Sequence, residues 1–302
     1  MRDNWKRESV YIIIPVHNRK EITVKCLETL AHNGDLYKYH IVIVDDGSTD
    51  GTSELINSLY PQVILLRGDG NLWWTGGIKK GMEYAYSQGG DFFIWLNDDT
   101  IPFYETISSM VQFCRDNDRC IASAQCYVAA DLQQPTYGGQ EKKGLSVKLL
   151  HAGKQDVLDC DCLSGNLICL PRSIVDNIGF PPTDKLPHRW ADIVYTLKAK
   201  EFGYELKVLG YAQAVCAFNP LEIGWSSSPI PMSKRWQMLN SFQSNLYPPH
   251  FWNYTQMFFG KQGIIIFISV YLKLIIFTFV RYLVPINYLR SLKKIKEQLN
   301  NG

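Results

Sequence analysis

The sequence predicts an α/β protein whose central sheet is largely parallel and flanked by helices, followed by an apolar helical extension. From residue 10 to about residue 125, short β-branched runs alternate with longer amphipathic stretches, which is the pattern of consecutive βαβ units. The 302 residues are 46% hydrophobic and 20% charged, so the chain can bury a core and is not intrinsically disordered. A separate apolar run, residues 264–284, is far longer than a strand.

The predicted elements follow one another in a regular order. Runs rich in Val and Ile predict strands at 10–15, 41–44, 63–66, 92–96 and 121–125, and the stretches between them predict helices at 21–33, 52–59, 76–87 and 104–116. Residues 126–159 lack clear periodicity and predict a hairpin or a mobile loop. Strands at 162–170, 205–209 and 212–217 and helices at 172–178 and 191–202 follow. The composition changes past Pro220, so we predict one domain over residues 1–220 and a helical extension over 221–302.

Charge and cysteine content limit the partners and the compartment. A net charge of +2 is close to neutral, which does not favour binding to nucleic acid. The eight cysteines are scattered without a CxxC pair, which predicts reduced thiols. The first ten residues are mostly polar, and the apolar run at 11–14 is too short for a signal peptide. We therefore expect a cytoplasmic location.

Polar residues gather just past the ends of the predicted strands, where ligands of open α/β sheets bind. They are His17, Asn18, Arg19, Asp45, Asp46, Asn97, Asp98 and Asp99. Asp98 and Asp99 carry hard oxygen ligands suited to Mg²⁺ or Mn²⁺ with substrate phosphates, or else form a turn in which Asp98 caps a helix starting near Pro102. Asp46 can bind a base N–H and Asp45 a ribose hydroxyl, or else both serve a tight turn.

Six motifs occur in a fixed order along residues 10–209. They are IIIPVHNR, VDDGSTDGT, GNLWWTGGIKKG, LNDDT, CLSGNLICLPRSIVDNIGF and WADIVYTLKAKEFGY. In this order they resemble the family 2 glycosyltransferases, which implies the nucleotide-diphospho-sugar transferase (GT-A) fold. The resemblance extends to the rhamnosyltransferase-like branch, and it implies an inverting hexosyltransferase with dTDP-rhamnose or a UDP-hexose as donor.

The resemblance also implies roles for individual residues. His17 and Asp46 are expected near the nucleobase, Asp98 near the ribose, and Asp99 on a Mn²⁺ or Mg²⁺ ion. Further expected contacts to the nucleotide sugar are Pro15, Asn18, Arg19, Asp45, Asn71, Gly76, Gly77, Trp190 and Arg235.

Asp192 is the acid that the resemblance implies as the catalytic base. The family often has an ED pair here, whereas this chain has Ala191 before Asp192. One base suffices for inverting transfer, because only the acceptor hydroxyl loses a proton. The alternative is an acid that interacts with the dipole of a helix N-terminus.

The glycines and tryptophans of these motifs each have a structural alternative. Gly76 and Gly77 open a helix whose amides can approach an anion, or else they allow that helix to pack closely on the sheet. Trp73, Trp74 and Trp190 can stack on a sugar or a nucleobase, or else belong to the core.

Arg235 lies in a KRW sequence similar to the end of the QxxRW element of processive enzymes of this family, but the Gln is absent. The missing Gln favours addition of a single sugar. Arg235 is expected on the diphosphate, or else on a solvated helix face.

The apolar run 264–284 is long enough to span a bilayer, although Lys273 lies at its midpoint. A single span with a cytosolic catalytic part would place the basic residues of 290–296 outside, against the positive-inside bias. We therefore predict an in-plane helix, through which residues 264–296 contact the inner face of the membrane. The alternatives are a span, or packing on the catalytic domain or another subunit.

Together these features predict a metal-dependent, inverting transferase that adds one sugar to a lipid-linked or polysaccharide acceptor in bacterial cell-surface glycan synthesis. We expect it to be peripheral or monotopic on the inner face of the cell membrane, and a homodimer is a further candidate. One alternative is a catalytically impaired nucleotide-sugar-binding or scaffold protein, which Ala191 suggests. The other is a sugar-1-phosphate nucleotidyltransferase, which needs a Gly-rich basic loop where this chain has PVHNR.

Overall fold

The structure, a computed structural model, describes residues 9–217, 231–284 and 287–288. The chain divides into two units, Met1–Phe218 and Asn219–Gly302. The predicted domain boundary at residue 220 and the basic residues of 290–296 lie outside the described residues. The roles predicted for the two parts of the chain stay predictions.

The first unit is built on a mainly parallel sheet of ten strands among the described residues. Six strands run parallel: β1 (Val10–Val16), β2 (His40–Asp45), β3 (Ile64–Arg67), β4 (Phe92–Leu96), β6 (Cys120–Val128) and β13 (Glu205–Val215). Four more are antiparallel to their neighbours: β5 (Ile101–Pro102), β7 (Asp131–Tyr137), β10 (Val157–Asp159) and β12 (Leu167–Pro171). The order across the sheet is β10-β13-β6-β12-β4-β1-β2-β3. The predicted α/β fold with a largely parallel sheet is confirmed.

Helices cover both faces of this sheet. They are α1 (Lys20–His32), α2 (Asp35–Lys38), α3 (Thr52–Leu59), α4 (Trp73–Ser87), α5 (Thr106–Asp116), α6 (Ser173–Ile178) and α7 (Ala191–Glu201). Successive side chains of β1 alternate between two cores: Ile12 packs in the core with residues of α1 and α5, and Ile13 in the core with residues of α4 and α7. β1 therefore carries no exposed face, which accounts for its continuous apolar run.

Two glycines let α4 lie close to β1. A Cβ added at Gly81 would lie 2.3 Å from Cγ2 of Ile13, and one added at Gly77 would lie 2.8 Å from Cβ of Pro15. Both distances are far below ordinary carbon–carbon contact. The packing alternative for Gly77 is therefore supported by the structure.

Residues 126–159, where the sequence predicts a hairpin or a mobile loop, form several strands, among them an antiparallel hairpin. Besides β7 and β10 they form β8 (Gly139–Lys143) and β9 (Ser146–Leu149), and β8 joins β9 and β11 (Cys162–Leu163) in a three-stranded sheet. Much of β7, β8 and β9 is exposed or only partly buried, so the apolar alternation that predicts a strand is missing.

Two further sequence predictions are wrong in detail. The single strand predicted at 162–170 is broken at residues 164–166, because β11 pairs with β8 whereas β12 pairs with β4 and β6. The two strands predicted at 205–209 and 212–217 are one strand, β13, with a register shift between Leu209 and Gln213. All eight cysteines lie within the described residues, and each is a buried thiol outside any disulfide.

The second unit contains α8 (Met232–Leu239), α9 (Pro248–Phe259), a 3₁₀ turn (Gly260–Gln262) and α10 (Gly263–Leu283). α9 folds back along α10, since the Phe251 and Phe267 rings are 6.0 Å apart and the Trp252 and Phe267 rings 5.1 Å apart. Among the described residues, the helical stretch Pro248–Leu283 is long and apolar enough to cross a membrane, by length and composition alone.

α10 presents large apolar side chains to its surroundings. Each of these side chains is at least 44% exposed, and together we call them the apolar face of α10. They are Ile264, Ile265, Ile268, Leu272, Ile275, Ile276, Phe279, Tyr282 and Leu283. Their spacing of three or four residues places them on one side of the helix. Leu274, near the opposite side, is buried.

Candidate active site

The loop after β1 is bonded to the loop after β2. The Asn18 amide donates to Oγ of Ser48 at 2.8 Å, and the Thr49 amide donates to Oδ1 of Asn18 at 2.7 Å. Asn18 has a φ of 51°, in the left-handed region that asparagine adopts more readily than most residues. His17 Nδ1 lies 2.6 Å from the Asp46 carbonyl oxygen. These bonds place the predicted base-site residues side by side.

The two acids at the end of β2 each accept two hydrogen bonds from the protein. Asp45 accepts from the Ser48 amide at 2.9 Å and from the Ser53 hydroxyl. Asp46 accepts from the amides of Gly70 and Trp73, both at 2.9 Å. The Trp73 bond satisfies an otherwise orphaned amide in the first turn of α4, which begins at Trp73 rather than at the predicted residue 76.

The acid pair after β4 is held by Arg19. Its Nη1 lies 3.1 Å from Oδ1 of Asp98, and its Nη2 donates to Oδ2 of Asp99 at 2.8 Å. Thr23 Oγ1 donates to the second oxygen of Asp98 at 3.3 Å. The helix expected near Pro102 begins at Thr106, so Asp98 is not a helix cap. One guanidinium therefore bridges both carboxylates.

The environments of these two acids differ. Asp98 is 2% exposed, and burial raises its pKa to about 6, although Arg19 acts in the opposite direction. Asp99 is 32% exposed, and its Oδ1 lies 4.0 Å from Sγ of Cys216. Asp99 is therefore the more accessible carboxylate of the pair.

Asp99 is the carboxylate that fits a divalent cation. Within the described residues, no group of three or more His, Cys, Asp and Glu side chains is arranged to hold a metal ion. A cation on Asp99 would therefore take its remaining oxygen ligands from substrate phosphates and water, as Mg²⁺ commonly does. The Asp98 oxygens both have protein partners, so Asp98 is less suited to bind it directly.

Asp192 lies in the first turn of α7. Its Oδ2 accepts a hydrogen bond from the Gly165 amide at 2.7 Å. Burial raises its pKa, while this hydrogen bond and the amides of the helix N-terminus act in the opposite direction. The Thr196 hydroxyl accepts from the Leu163 amide at 2.9 Å, which fastens α7 to β11 beside Gly165. A partly buried carboxylate with a raised pKa is suited to accept a proton.

Short contacts connect Asp46, Asp99 and Asp192. Asp46 holds the start of α4, where the Trp74 indole N–H donates to Oδ1 of Asn97 at 2.7 Å. The Asn97 amide donates to the Asn166 carbonyl at 3.0 Å, next to the glycine that binds Asp192. The three acids thus lie along one connected edge of the sheet.

The same loop leads to the acid pair after β4. The Asn166 side chain donates to Sγ of Cys216 at 3.4 Å, and that sulfur is 4.0 Å from Asp99. Residues 164–166 therefore join the surroundings of Asp99 to those of Asp192.

Other residues that the sequence predicts to contact the nucleotide sugar have structural roles in the first unit. Pro15 packs beneath Gly77, and the Gly76 amide donates to the Leu72 carbonyl at 3.0 Å, so that amide is not directed at an anion. The exposed Asn71 donates its amide to the Asp69 side chain at 2.9 Å. Trp190 precedes α7 with a φ of 69°. Their contacts with a nucleotide sugar stay predictions.

Arg235 belongs to α8 of the second unit and is 3% exposed. The alternative of a solvated basic side chain is therefore wrong for Arg235. Its contact with a diphosphate stays a prediction.

Four residues that join the predicted acids have no individual role in the sequence analysis, which places only Asn97 among the polar residues at the strand ends. They are Asn97, Gly165, Asn166 and Cys216. The SGN sequence at 164–166 interrupts an apolar run, and such an interruption is the signal that identifies a break between strands.

The sequence model of glycosyl transferase family 2 matches residues 11–162, which make up half of the chain. The chain belongs to this family. The matched residues include Asp46, Asp98 and Asp99, whereas Asp192 lies beyond them. The family assignment thus covers the acid pair after β4 but not the predicted base.

Three solved structures share the fold of this family 2 chain. The structure of GalNAc-T7 with UDP, GalNAc and Mn²⁺ has a TM-score of 0.63 and 13% identity to this chain. The match covers 99% of this chain and 55% of GalNAc-T7, so this chain spans about half the length of GalNAc-T7. TarS residues 1–349 from S. aureus has a TM-score of 0.52 and 16% identity, covering 82% and 80%.

The mannosyltransferase PcManGT from Pyrobaculum calidifontis, in complex with GDP-Man and Mn²⁺, has a TM-score of 0.53 and 15% identity, covering 92% and 88%. At such identities these similarities show the fold alone. That fold is the predicted GT-A fold.

We predict that Arg19→Gln destabilises the first unit. The change leaves the buried Asp98 without its cationic partner, and we expect a loss of about 1–3 kcal/mol, less than for a fully buried pair because Arg19 is 37% exposed. Urea denaturation measures the loss. The control is Arg67→Gln, because Arg67 is 67% exposed and 4.0 Å from Glu54, so its removal changes stability by about 0.5 kcal/mol or less. Equal effects of the two substitutions would contradict the role of Arg19.

Proposed function

We propose that this family 2 glycosyltransferase moves a single sugar from a nucleotide-diphospho-sugar to a lipid-linked or polysaccharide acceptor, with inversion at the anomeric carbon. The observation that carries the proposal is the connection of Asp46, Asp99 and Asp192 along the carboxyl edge of a parallel sheet. UDP with GalNAc in one structural relative and GDP-Man in another support a nucleotide sugar as the donor class.

The donor is proposed to lie across the ends of β1, β2 and β4. His17 and Asp46 border the nucleobase, Asp98 lies near the ribose, and Asp99 binds Mn²⁺ or Mg²⁺. Asp46 already accepts two amides, so it contributes mainly by holding the loop of residues 70–73 against the nucleoside. The Mn²⁺ bound in two structural relatives supports a divalent cation here.

In the transfer step the acceptor oxygen bonds to the anomeric carbon, and the bond from that carbon to the diphosphate oxygen breaks. Asp192 accepts the proton of the acceptor hydroxyl, and the nucleoside diphosphate departs with the bonding electron pair. Asp99 would hold a divalent cation, whose positive charge would stabilise the departing diphosphate. The raised pKa of Asp192 makes its carboxylate a stronger base than an exposed aspartate.

Residues 1–220 are assigned to catalysis and residues 221–302 to attachment at the cytoplasmic face of a bacterial inner membrane. The apolar face of α10 offers a continuous hydrophobic surface as long as the helix, larger than the scattered apolar residues of ordinary protein surfaces. The exposed Lys273 lies beside this face rather than within it, so its ammonium can reach lipid head groups while its stem lies on the apolar surface. This arrangement favours an in-plane helix over a span.

A screen of donors tests the proposed activity. The full chain is incubated with dTDP-rhamnose, UDP-hexoses, UDP-GalNAc and GDP-mannose with Mn²⁺ or Mg²⁺, and binding is measured by calorimetry. We expect one donor class to bind and to release nucleoside diphosphate when an acceptor is present, with both signals lost on chelation of the metal. Binding without turnover over many acceptors would favour the binding or scaffold alternative that Ala191 suggests. Absence of binding for every donor would overturn the proposal.

We predict that Asp192→Asn abolishes most turnover but keeps donor binding. Loss of the general base lowers kcat by about 10²- to 10⁴-fold, whereas the nucleoside contacts are unchanged. Because the pKa of Asp192 is raised, kcat of the native enzyme should increase with pH as this carboxyl loses its proton. Asp116→Asn, at the exposed end of α5, is the control and should leave kcat unchanged. Full activity of Asp192→Asn would refute the assigned base.

We predict that the full chain binds lipid vesicles through the apolar face of α10. Co-sedimentation with anionic phosphatidylglycerol vesicles should be stronger than with neutral phosphatidylcholine vesicles, because the sequence has basic residues beyond the helix. Ile268→Asn with Ile275→Asn should lower partitioning at least about tenfold, since each buried Ile contributes about 1.5–3 kcal/mol. Leu59→Asn, an exposed apolar residue of α3, is the control. A homodimer that dissociates in the double variant, without vesicle binding by the native chain, would show that a second copy covers this face instead.

A further inference from the structure

Asp192 follows Ala191, where the family often has Glu, so no acidic side chain directly precedes it in the chain. Ala191 is buried and offers no polar side-chain atom. The inference below rests on the proposed function, in which Asp192 is the base.

The Gly165 amide is the group that orients Asp192. It donates to Oδ2 of Asp192 at 2.7 Å. The loop that carries it is fixed on both sides, because the Ser164 amide donates to the Gly138 carbonyl at 2.9 Å and the Asn166 carbonyl accepts from the Asn97 amide. These two backbone bonds hold the amide from the strand side, in addition to the bond from the Leu163 amide to Thr196 of α7.

The Trp74 indole lies directly against Gly165. A Cβ added at Gly165 would lie 2.7 Å from Cη2 and 2.8 Å from Cζ2 of Trp74, and 3.0 Å from Cβ of Asp192. Glycine is thus required where the loop passes between the indole and the acid. Any movement of the indole toward the loop would push Gly165 onto Asp192.

The Trp74 ring is fixed by two contacts. Its indole N–H donates to Oδ1 of Asn97 at 2.7 Å, and its ring packs edge-on against the fully buried Trp95, with centroids 5.6 Å apart. Trp95 in turn lies 5.5 Å from the ring of Tyr195 on α7. The contacts form a closed circuit that starts and ends on the helix that carries Asp192.

We propose that Trp74, held by Asn97, is a positioning residue for Asp192 and acts through Gly165. Trp74 does not touch the reacting atoms in this role. Its effect is confined to the direction in which the base presents its oxygen to the acceptor hydroxyl.

Trp74→Phe tests the proposal, because it removes the indole N–H and the ring atoms that touch Gly165 but keeps an aromatic side chain. We expect kcat to fall about 10- to 100-fold, as displacement of a catalytic group by about an ångström does, with the donor dissociation constant unchanged. A purely structural role would lower the melting temperature and leave kcat per folded molecule unchanged. Tyr86→Phe is the matched control, since it removes one ring-borne hydrogen bond, to Asp176, from the same helix.

The double variant of Trp74→Phe with Gly165→Ala tests the route through Gly165. Gly165→Ala alone should lower kcat strongly, because its Cβ collides with Trp74. In the Trp74→Phe background the two closest ring atoms are gone and the 3.0 Å contact with Cβ of Asp192 remains, so the added methyl should lower kcat less than it does in the native background. If the two substitutions instead lower kcat by independent factors that multiply in the double variant, Trp74 does not act through Gly165. If Gly165→Ala does not fold, the kcat of Trp74→Phe alone decides whether Trp74 positions Asp192.

The failure of this inference is distinguishable from that of the proposed function. Native kcat in Trp74→Phe together with an inactive Asp192→Asn would overturn the positioning role only. An active Asp192→Asn would overturn the base assignment itself, and with it the basis for positioning.

Discussion

The crowding of carboxylates at one edge of a parallel sheet is the constraint on which the rest of this structure depends. Parallel strands all end on the same side, so acids that follow β2 and β4 are brought together whether or not they attract one another. Like charges in a partly buried site raise one another's pKa and oppose folding unless donors offset them. The surroundings of the crevice are arranged to supply those donors.

Two kinds of hydrogen-bond donor hold these acids, a side-chain guanidinium and backbone amides, and they differ in how firmly they fix the acid. Arg19 is a cation at the end of a side chain, and it bridges Asp98 and Asp99. Backbone amides hold Asp46 and Asp192, and such amides cannot move without moving the loops that carry them. The positions of the acids held by amides are therefore set by those loops, whereas Asp98 and Asp99 are held by the end of one side chain.

Glycine allows the backbone to reach these acids. A Cβ at Gly68 would lie 2.5 Å from Oδ1 of Asp46, and one at Gly165 would collide with Trp74. In both places the chain passes where a side chain would displace the acid or its support. Glycine is required at both positions because neighbouring atoms leave no room for a Cβ. A positive φ is not the reason, since both residues lie outside the left-handed region.

The sequence by itself determined the order of the main strands and helices, because hydrophobic periodicity is a local property and β1, α3 and β4 are found where it predicts them. It also placed Asp46 and Asp99 at strand ends, since that follows from chain order. The break at residues 164–166 and the polar strands of 126–159 depend on which strands pair, and local periodicity carries no information about pairing. Only the tertiary structure decided that Gly165 holds Asp192 and that Arg19 bridges two acids, because those contacts join residues 27 and about 80 positions apart.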